Sequence, residues 1–202
     1  MAEAGYKNLL SYKLANIAFQ IGWEFVPTYY SKYEDSRQRD QIKQALRSYK
    51  QNIVEGSSER SLSSKLKLYD VAKASSMEAL EDFEDILKFE KLIRWDKADA
   101  RLKKLRYFIE GYPSSPPIPS PPSISSISEA LGGKEGLEGK EKTEAIANYL
   151  IDVITRGGYM LDKQINAVEQ KHTQEGGYNT VGVASFAYNE NLLKKRLAYR
   201  SQ

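Results

Sequence analysis

The most distinctive chemical feature of the sequence is a row of basic side chains on one predicted helix. These residues are separated by four, four and three positions: Arg39, Lys43, Arg47 and Lys50. Such spacing places side chains on one face of an α-helix. A linear row of cations suits the regularly spaced phosphates of a nucleic acid. We call these four residues the basic stripe, and we predict that they bind RNA or DNA phosphates.

The sequence around the basic stripe is also basic, with nine basic and four acidic residues between positions 37 and 73, a local excess of +5. The complete predicted binding set therefore adds flanking residues to the stripe: Arg37, Arg39, Lys43, Arg47, Lys50, Arg60 and Lys65. The alternative is an ordinary solvated helix face, which the small net charge of +3 for the whole chain favours. The sequence leaves both interpretations open.

An acidic segment follows the basic one, since residues 74–90 have an excess of −5. One hypothesis is that the acidic face of one subunit contacts the basic face of the next in a head-to-tail ring. The other is charge balance between neighbouring helices of one subunit. The first hypothesis competes with nucleic-acid binding, because cations paired with carboxylates are not free to bind phosphates.

Groups that could perform catalysis are scarce. The chain has no cysteine and a single histidine, His172, and it has neither a phosphate-binding loop nor a dinucleotide fingerprint. Glu169 and His172 have the spacing used by di-iron helical bundles, but those sites need two such motifs. A histidine near a helix C-terminus is common for electrostatic reasons. We predict a protein that is not an enzyme and has no cofactor or metal.

Three tyrosines precede the basic helix and could stack on nucleic-acid bases: Tyr29, Tyr30 and Tyr33. Packing against the end of a helical bundle is the alternative for all three.

Four long segments show the apolar period of an amphipathic helix, at about 6–26, 36–54, 62–91 and 140–172. Each has one apolar stripe, which a bundle buries and an isolated helix cannot. The predicted fold is an all-α, antiparallel up-down four-helix bundle. We expect Pro27 to end the first helix and Gly56 to form a left-handed cap on the second. Gly157 and Gly158 lie inside the fourth, where they predict close packing or a kink.

The remaining segments interrupt or follow this bundle, which spans residues 1–172. A shorter basic helix is predicted at about 96–110. Six of the seven prolines then fall between residues 113 and 122, and we predict an extended Pro/Ser/Gly-rich linker over 113–139. Residues 173–202 form a C-terminal suffix, with a further short helix at about 189–199.

Three stretches of the chain resemble a known family. They are DQIKQALRSYKQNIVEGSSERS, which contains the turn from Asn52 to Gly56, KLYDVAKASSMEALEDFEDIL, and ANYLIDVITRGGYMLDKQI. They resemble the four-helix-bundle proteins encoded in intervening sequences of bacterial ribosomal RNA genes, a family that includes the accessory variability protein of diversity-generating retroelements. The resemblance covers roughly residues 6–90 and 142–170, and the tail resembles the subfamily with a C-terminal suffix.

The resemblance implies a homopentameric ring of bundles. For the retroelement accessory it also implies binding to RNA or DNA, and to a reverse transcriptase, through the basic surface. We therefore expect a cytoplasmic, non-enzymatic accessory protein. No run of about eighteen apolar residues predicts a membrane span. The alternative function is a structural or adaptor oligomer that binds another protein and has no nucleic-acid role.

Overall fold

The structure is a computed structural model that describes residues 5–111 and 122–174. These residues are 84% helical and contain no strand, so the predicted all-α class is confirmed for them. Six α-helices are present in these ranges: α1 (Leu10–Tyr29), α2 (Ser36–Ser58), α3 (Leu62–Phe89), α4 (Ala100–Glu110), α5 (Ile124–Gly132) and α6 (Gly139–Gln174). Short 3-10 turns at Gly5–Asn8 and Tyr33–Asp35 precede α1 and α2.

The four long helices pack side by side, because α2 and α6 each contact both α1 and α3. Their apolar stripes meet in the interior, where Ile21, Leu46, Phe83 and Leu150 are completely buried. Removing a side chain of this size from water contributes about 1.5–3 kcal/mol. These four residues belong to the apolar stripes of the four long helices.

Gly56 does not cap α2 as predicted, and that prediction is wrong. The helix continues to Ser58, and Gly56 is absent from the described residues with positive φ. A Cβ at this position would lie 2.6 Å from Cε1 of Tyr69 on α3. The glycine is needed because α2 and α3 approach each other closely here, and a left-handed turn plays no part.

The prediction that Pro27 ends α1 is also wrong, since the helix extends to Tyr29. Proline lacks an N–H and therefore removes one helical hydrogen bond. In the last turn that loss affects a single carbonyl. The Thr28 hydroxyl donates to the Glu24 carbonyl at 3.1 Å, and Tyr30 N donates to the Val26 carbonyl at 2.9 Å. These bonds complete the helix end around the proline.

The predicted linker over 113–139 contains a helix, α5, which corrects that prediction. The last proline is Pro122, and the Ser123 hydroxyl then accepts a bond from Ser126 N at 3.2 Å as an N-cap. Ile124 and Ile127 are buried in the main core, and α5 packs against α4. Residues 112–121 and 175–202 lie outside the described residues, as do most of the predicted suffix and its predicted helix.

The connection between α3 and α4 is fixed to α6 by polar side chains. The Asn148 amide oxygen accepts from Trp95 N at 2.7 Å, and a Glu144 carboxylate oxygen accepts from Trp95 Nε1 at 2.8 Å. The Asp99 carboxylate then accepts from Arg101 N at 2.8 Å, so α4 begins at Ala100, later than the predicted position 96. The two bonds donated by Trp95 attach the segment before α4 to the N-terminal half of α6.

A largely buried ion network joins α4 to α6, and we call it the Arg156 network: Arg106, Glu110, Tyr149, Asp152 and Arg156. Arg156 Nη1 donates to Glu110 at 2.8 Å and Arg156 Nε donates to Asp152 at 2.9 Å. Arg106 Nε donates to the same Asp152 oxygen at 3.0 Å, and the Tyr149 hydroxyl donates to Glu110 at 3.0 Å. Burial lowers the pKa of Arg156, but Glu110 and Asp152 raise it by a larger amount. The pKa of Arg156 is therefore above its ordinary value.

Gly157 allows close packing between α6, α1 and α2, as its position in the fourth predicted helix indicated. A Cβ there would lie 2.3 Å from the Tyr49 hydroxyl oxygen and 3.2 Å from Leu14 Cβ. The Tyr49 hydroxyl is buried and has no hydrogen-bond partner among residues 5–111 and 122–174. The notch at Gly157 is therefore filled by this hydroxyl.

Candidate nucleic-acid interface

Three members of the basic stripe lie on the side of α2 that faces α1. Lys43 Nζ is 3.8 Å from the centroid of the Trp23 ring, and Lys50 Nζ is 3.5 Å from the centroid of the Phe19 ring. Arg39 Nη1 donates to the Tyr30 carbonyl at 3.2 Å. A helix rises about 1.5 Å per residue, so the stripe extends for roughly 16 Å along α2. The structure therefore brings these cations together along the edge between α1 and α2.

Arg47 is the exposed member of the basic stripe, and it belongs to a group of three cations without carboxylate partners. Among the described residues, no carboxylate lies within 4 Å of Lys43, Arg47 or Lys50, whereas Arg39 Nε is 3.9 Å from Asp40. Burial lowers the pKa of Lys50, and the charge of Arg47 lowers it further. The positive charges of Lys43, Arg47 and Lys50 are thus close together and have no carboxylate partner within the described residues.

Two aromatic residues of α1, Phe19 and Trp23, lie beside the stripe and were not predicted from the sequence. We call them the ring pair. Their centroids are 5.1 Å apart with an angle of 37° between the ring planes. Trp23 remains 43% exposed even with Lys43 over its ring. The available signal was their spacing of four residues, which falls beside the buried stripe of α1 and not within it.

Arg37 lies apart from the basic stripe, on the side of α2 that faces α3. It lines an open groove with Glu78, Glu81 and Asp82. Gln38 donates to Asp82 at 2.9 Å, and burial raises the pKa of the Asp82 carboxyl. Arg37 therefore has an acidic surrounding, which is unfavourable for binding phosphate.

Arg60 and Lys65 lie at the other end of α2, around its connection to α3. Arg60 is exposed in that connection. Lys65 Nζ donates to the Ser57 carbonyl at 3.4 Å, which satisfies an acceptor in the last turn of α2. Lys65 therefore has a local structural partner at the end of α2.

The tyrosines before α2 are used mainly for packing. Tyr29 donates to Glu90 at 3.0 Å, and its ring meets Tyr30 edge to face at 4.7 Å. Burial raises the pKa of Tyr30 to about 12, with smaller contributions from Asp82 and other carboxylates. Only Tyr33 is almost fully exposed. For Tyr29 and Tyr30 the structure favours packing over stacking on bases.

Glu169 and His172 lie near the end of α6. Within the two described ranges, no group of three or more His, Cys, Asp or Glu residues could hold a metal ion. No helix of this part of the chain is sufficiently long and apolar to cross a membrane.

Comparison of the chain with protein-family models, with curated proteins and with solved structures found no match in any of the three.

Proposed function

We propose that the protein is a non-enzymatic nucleic-acid-binding accessory protein whose basic stripe contacts the phosphates of RNA or DNA. The observation that supports this most strongly is the set of neighbouring cations, Lys43, Arg47 and Lys50, without carboxylate partners among the described residues. Burial lowers the pKa of Lys50, and the charge of Arg47 lowers it further, because neighbouring cations without counter-ions repel each other. A phosphate backbone would relieve that repulsion.

The proposal includes an assembly. The four long helices form an antiparallel up-down four-helix bundle, and their mutual packing supports this arrangement. By the resemblance to the intervening-sequence and retroelement family, copies of the bundle assemble as a homopentameric ring in the cytoplasm and assist a reverse transcriptase. A ring would repeat the basic stripe and would convert weak individual contacts into high overall affinity.

Salt dependence of binding tests the phosphate contacts. Four contacts to a duplex predict a log–log slope of about −3.6 between affinity and salt concentration, which corresponds to roughly a 100-fold loss from 50 to 200 mM. Fluorescence anisotropy with a labelled duplex of random sequence measures it. Absence of binding to any RNA or DNA, or binding that does not respond to salt, would contradict the proposal.

A second function is supported by the separation of charge between the two sides of α2. Glu78, Glu81 and Asp82 form an acidic side of the α2–α3 groove, opposite the basic side that faces α1. In an adaptor oligomer, the basic stripe of one copy would contact the acidic groove of the next. Arg47→Glu would then reduce the mass of the particle measured by light scattering, and the wild-type protein would bind no nucleic acid.

A further inference from the structure

We propose that the ring pair, Phe19 and Trp23, is a stacking platform for unpaired bases, so that the basic stripe binds a single-stranded nucleic acid. This inference rests on the proposed function, because the stripe must first hold the phosphates. It goes further because it assigns the kind of nucleic acid and names two residues that stack on its bases.

The exposure of Trp23 is the first observation behind this inference. Phe25 is the buried aromatic residue of α1, and Phe19 is half-buried against the main core, whereas Trp23 is 43% exposed. A large aromatic side chain at the surface gives up much of the stabilisation that burial would provide. The same ring lies beside Phe19, with centroids 5.1 Å apart, so two aromatic surfaces adjoin at one edge of the molecule.

The charge around the rings is the second observation. The ammonium groups of Lys43 and Lys50 lie over Trp23 and Phe19, respectively, and Arg47 is nearby on the same helix. Aromatic side chains combined with a cationic track are the usual features of sites for single strands, because every base has a stacking face. This surface is therefore complementary to a ligand that is both anionic and aromatic.

The lysines over the rings can exchange with the ligand. Each ammonium group is on a flexible four-carbon stem, and a phosphate is a stronger partner for it than a ring face. When Lys43 and Lys50 turn onto phosphates, the faces of Trp23 and Phe19 become available to bases. Burial, and then the charge of Arg47, lower the pKa of Lys50, so its ammonium group is partly desolvated in the free protein.

The ring pair should also distinguish single strands from duplexes. Bases of a duplex are stacked on each other, and their faces are not available to a protein surface unless the helix is opened. Bases of a single strand can separate and stack on side chains. The platform is therefore expected to favour single strands, while the phosphate contacts of the basic stripe are common to both forms.

Four probes of equal length test this with the full-length protein: oligo-dT, oligo-U, an abasic oligodeoxynucleotide and a DNA duplex. The abasic probe has the phosphates of oligo-dT without its bases. We expect wild-type protein to bind oligo-dT at least about 5-fold more tightly than the abasic probe, because stacking on an aromatic side chain typically contributes a factor of this size or more. Oligo-U differs from oligo-dT in its 2′-hydroxyl groups and in the missing thymine methyl group, so the ratio of the two affinities reports on both changes together.

The decisive variant is Trp23→Ala. It is expected to weaken oligo-dT binding by roughly 5- to 100-fold while changing affinity for the abasic probe by less than about twofold. Trp23→Phe retains a ring and should retain most of the preference for bases. Tyr159→Ala is the matched control, because Tyr159 is an exposed ring on α6 with Lys163 Nζ 4.7 Å from its centroid, outside the stripe. It should change neither affinity.

Intrinsic fluorescence gives an independent measurement. The chain has two tryptophans, and Trp95 is buried while Trp23 is exposed. Oligo-dT should quench the Trp23 emission on binding, whereas the abasic probe at saturation should not.

The outcomes separate the two proposals. Equal affinity for oligo-dT and the abasic probe, unchanged by Trp23→Ala, overturns the platform and leaves phosphate binding by the stripe intact. Failure of the wild-type protein to bind any of the four probes overturns the proposed function and the platform together. A preference for bases that survives Trp23→Ala also overturns the platform, because the stacking must then occur elsewhere.

Discussion

The Arg156 network and the basic stripe use the same types of residue in opposite ways. In the Arg156 network, guanidinium groups meet two carboxylates whose side chains are only 9% and 6% exposed, those of Glu110 and Asp152. In the basic stripe, Lys43 and Lys50 meet aromatic rings. The surroundings of a cation, more than the local charge of the sequence, therefore indicate whether it holds the fold together or remains available to a ligand.

The two arrangements should differ in their energetics. Removing one partner of a buried ion pair leaves an uncompensated charge and costs about 3–5 kcal/mol. Exposed charged side chains contribute about 0–1 kcal/mol to stability. Substitutions in the Arg156 network should therefore lower the free energy of unfolding. Substitutions in the basic stripe should weaken nucleic-acid binding and leave the free energy of unfolding nearly unchanged.

The largest predicted effect is that of Arg156→Ala. It should lower the free energy of unfolding by about 3 kcal/mol, because Glu110 loses its cation while Asp152 keeps Arg106. Urea denaturation measures this difference. Lys73→Ala is the control, since Lys73 pairs with Asp162 and both side chains are about 40% exposed. The control should lose at most about 1 kcal/mol, and equal losses for the two variants would contradict the distinction.

A smaller effect is expected in the core. Gly157→Ala should destabilise the protein by about 1–3 kcal/mol, because the new Cβ would overlap the Tyr49 hydroxyl. Tyr49→Phe removes that hydroxyl, which has no partner among the described residues, and should be neutral or slightly stabilising. The double variant should therefore regain part of the loss. If both effects simply add, the close approach is not the cause. Oligonucleotide affinity should remain unchanged in all three variants.

The smallest effects concern pH. As pH rises, the Arg156 network and the basic stripe should change the free energy of unfolding in opposite directions. Burial, and then Glu110, raise the pKa of Tyr149 above the ordinary value of 10.0. Above pH 10 this residue is ionised in the unfolded chain and protonated in the fold. The native state then holds more protons, and the free energy of unfolding falls as pH rises. Urea denaturation from pH 9 to 11 measures this, and Tyr149→Phe should reduce the slope by at most about 1.4 kcal/mol per pH unit.

Lys50 should change the free energy of unfolding in the direction opposite to Tyr149 as pH rises. Its pKa in the fold is lowered below 10.5, so the native state releases this proton before the unfolded chain does. Its contribution to the free energy of unfolding therefore rises with pH in that window. Phosphate binding should decline in the same window because the charge is lost. Lys50→Gln should remove this step from the pH profile of affinity, and an unchanged profile would exclude Lys50 from the contact.

Periodicity and capping chemistry predicted much of the fold. The starts of α2 at Ser36 and α3 at Leu62 agree with the predicted positions, and the all-α class is confirmed for the described residues. The helix α5 was missed because proline content was averaged over the whole segment, although the last proline precedes Ser123. The role of Gly56 was missed because its contact with Tyr69 depends on how two helices pack, which local sequence does not show.

The candidate site could be predicted only in part. Helical spacing was sufficient to align Arg39, Lys43 and Lys50, and the structure brings them to one edge. Spacing could not show that Arg37 faces an acidic groove on the other side of α2, because that depends on the position of α3. Lys43 and Lys50 each lie over a ring that belongs to α1. A contact between two helices cannot be predicted from the sequence of either helix alone.

The most direct test of the account compares two double charge reversals with the same change in net charge. Arg47→Glu with Lys50→Glu alters the basic stripe, and Lys103→Glu with Lys104→Glu alters exposed positions on α4. At low salt, the first variant should lose roughly 100-fold or more in affinity for nucleic acid, and the second should stay within about threefold of wild type. Both should unfold near the wild-type urea midpoint. Equal losses in the two variants would show that binding follows net charge alone, and would contradict the assignment of the stripe.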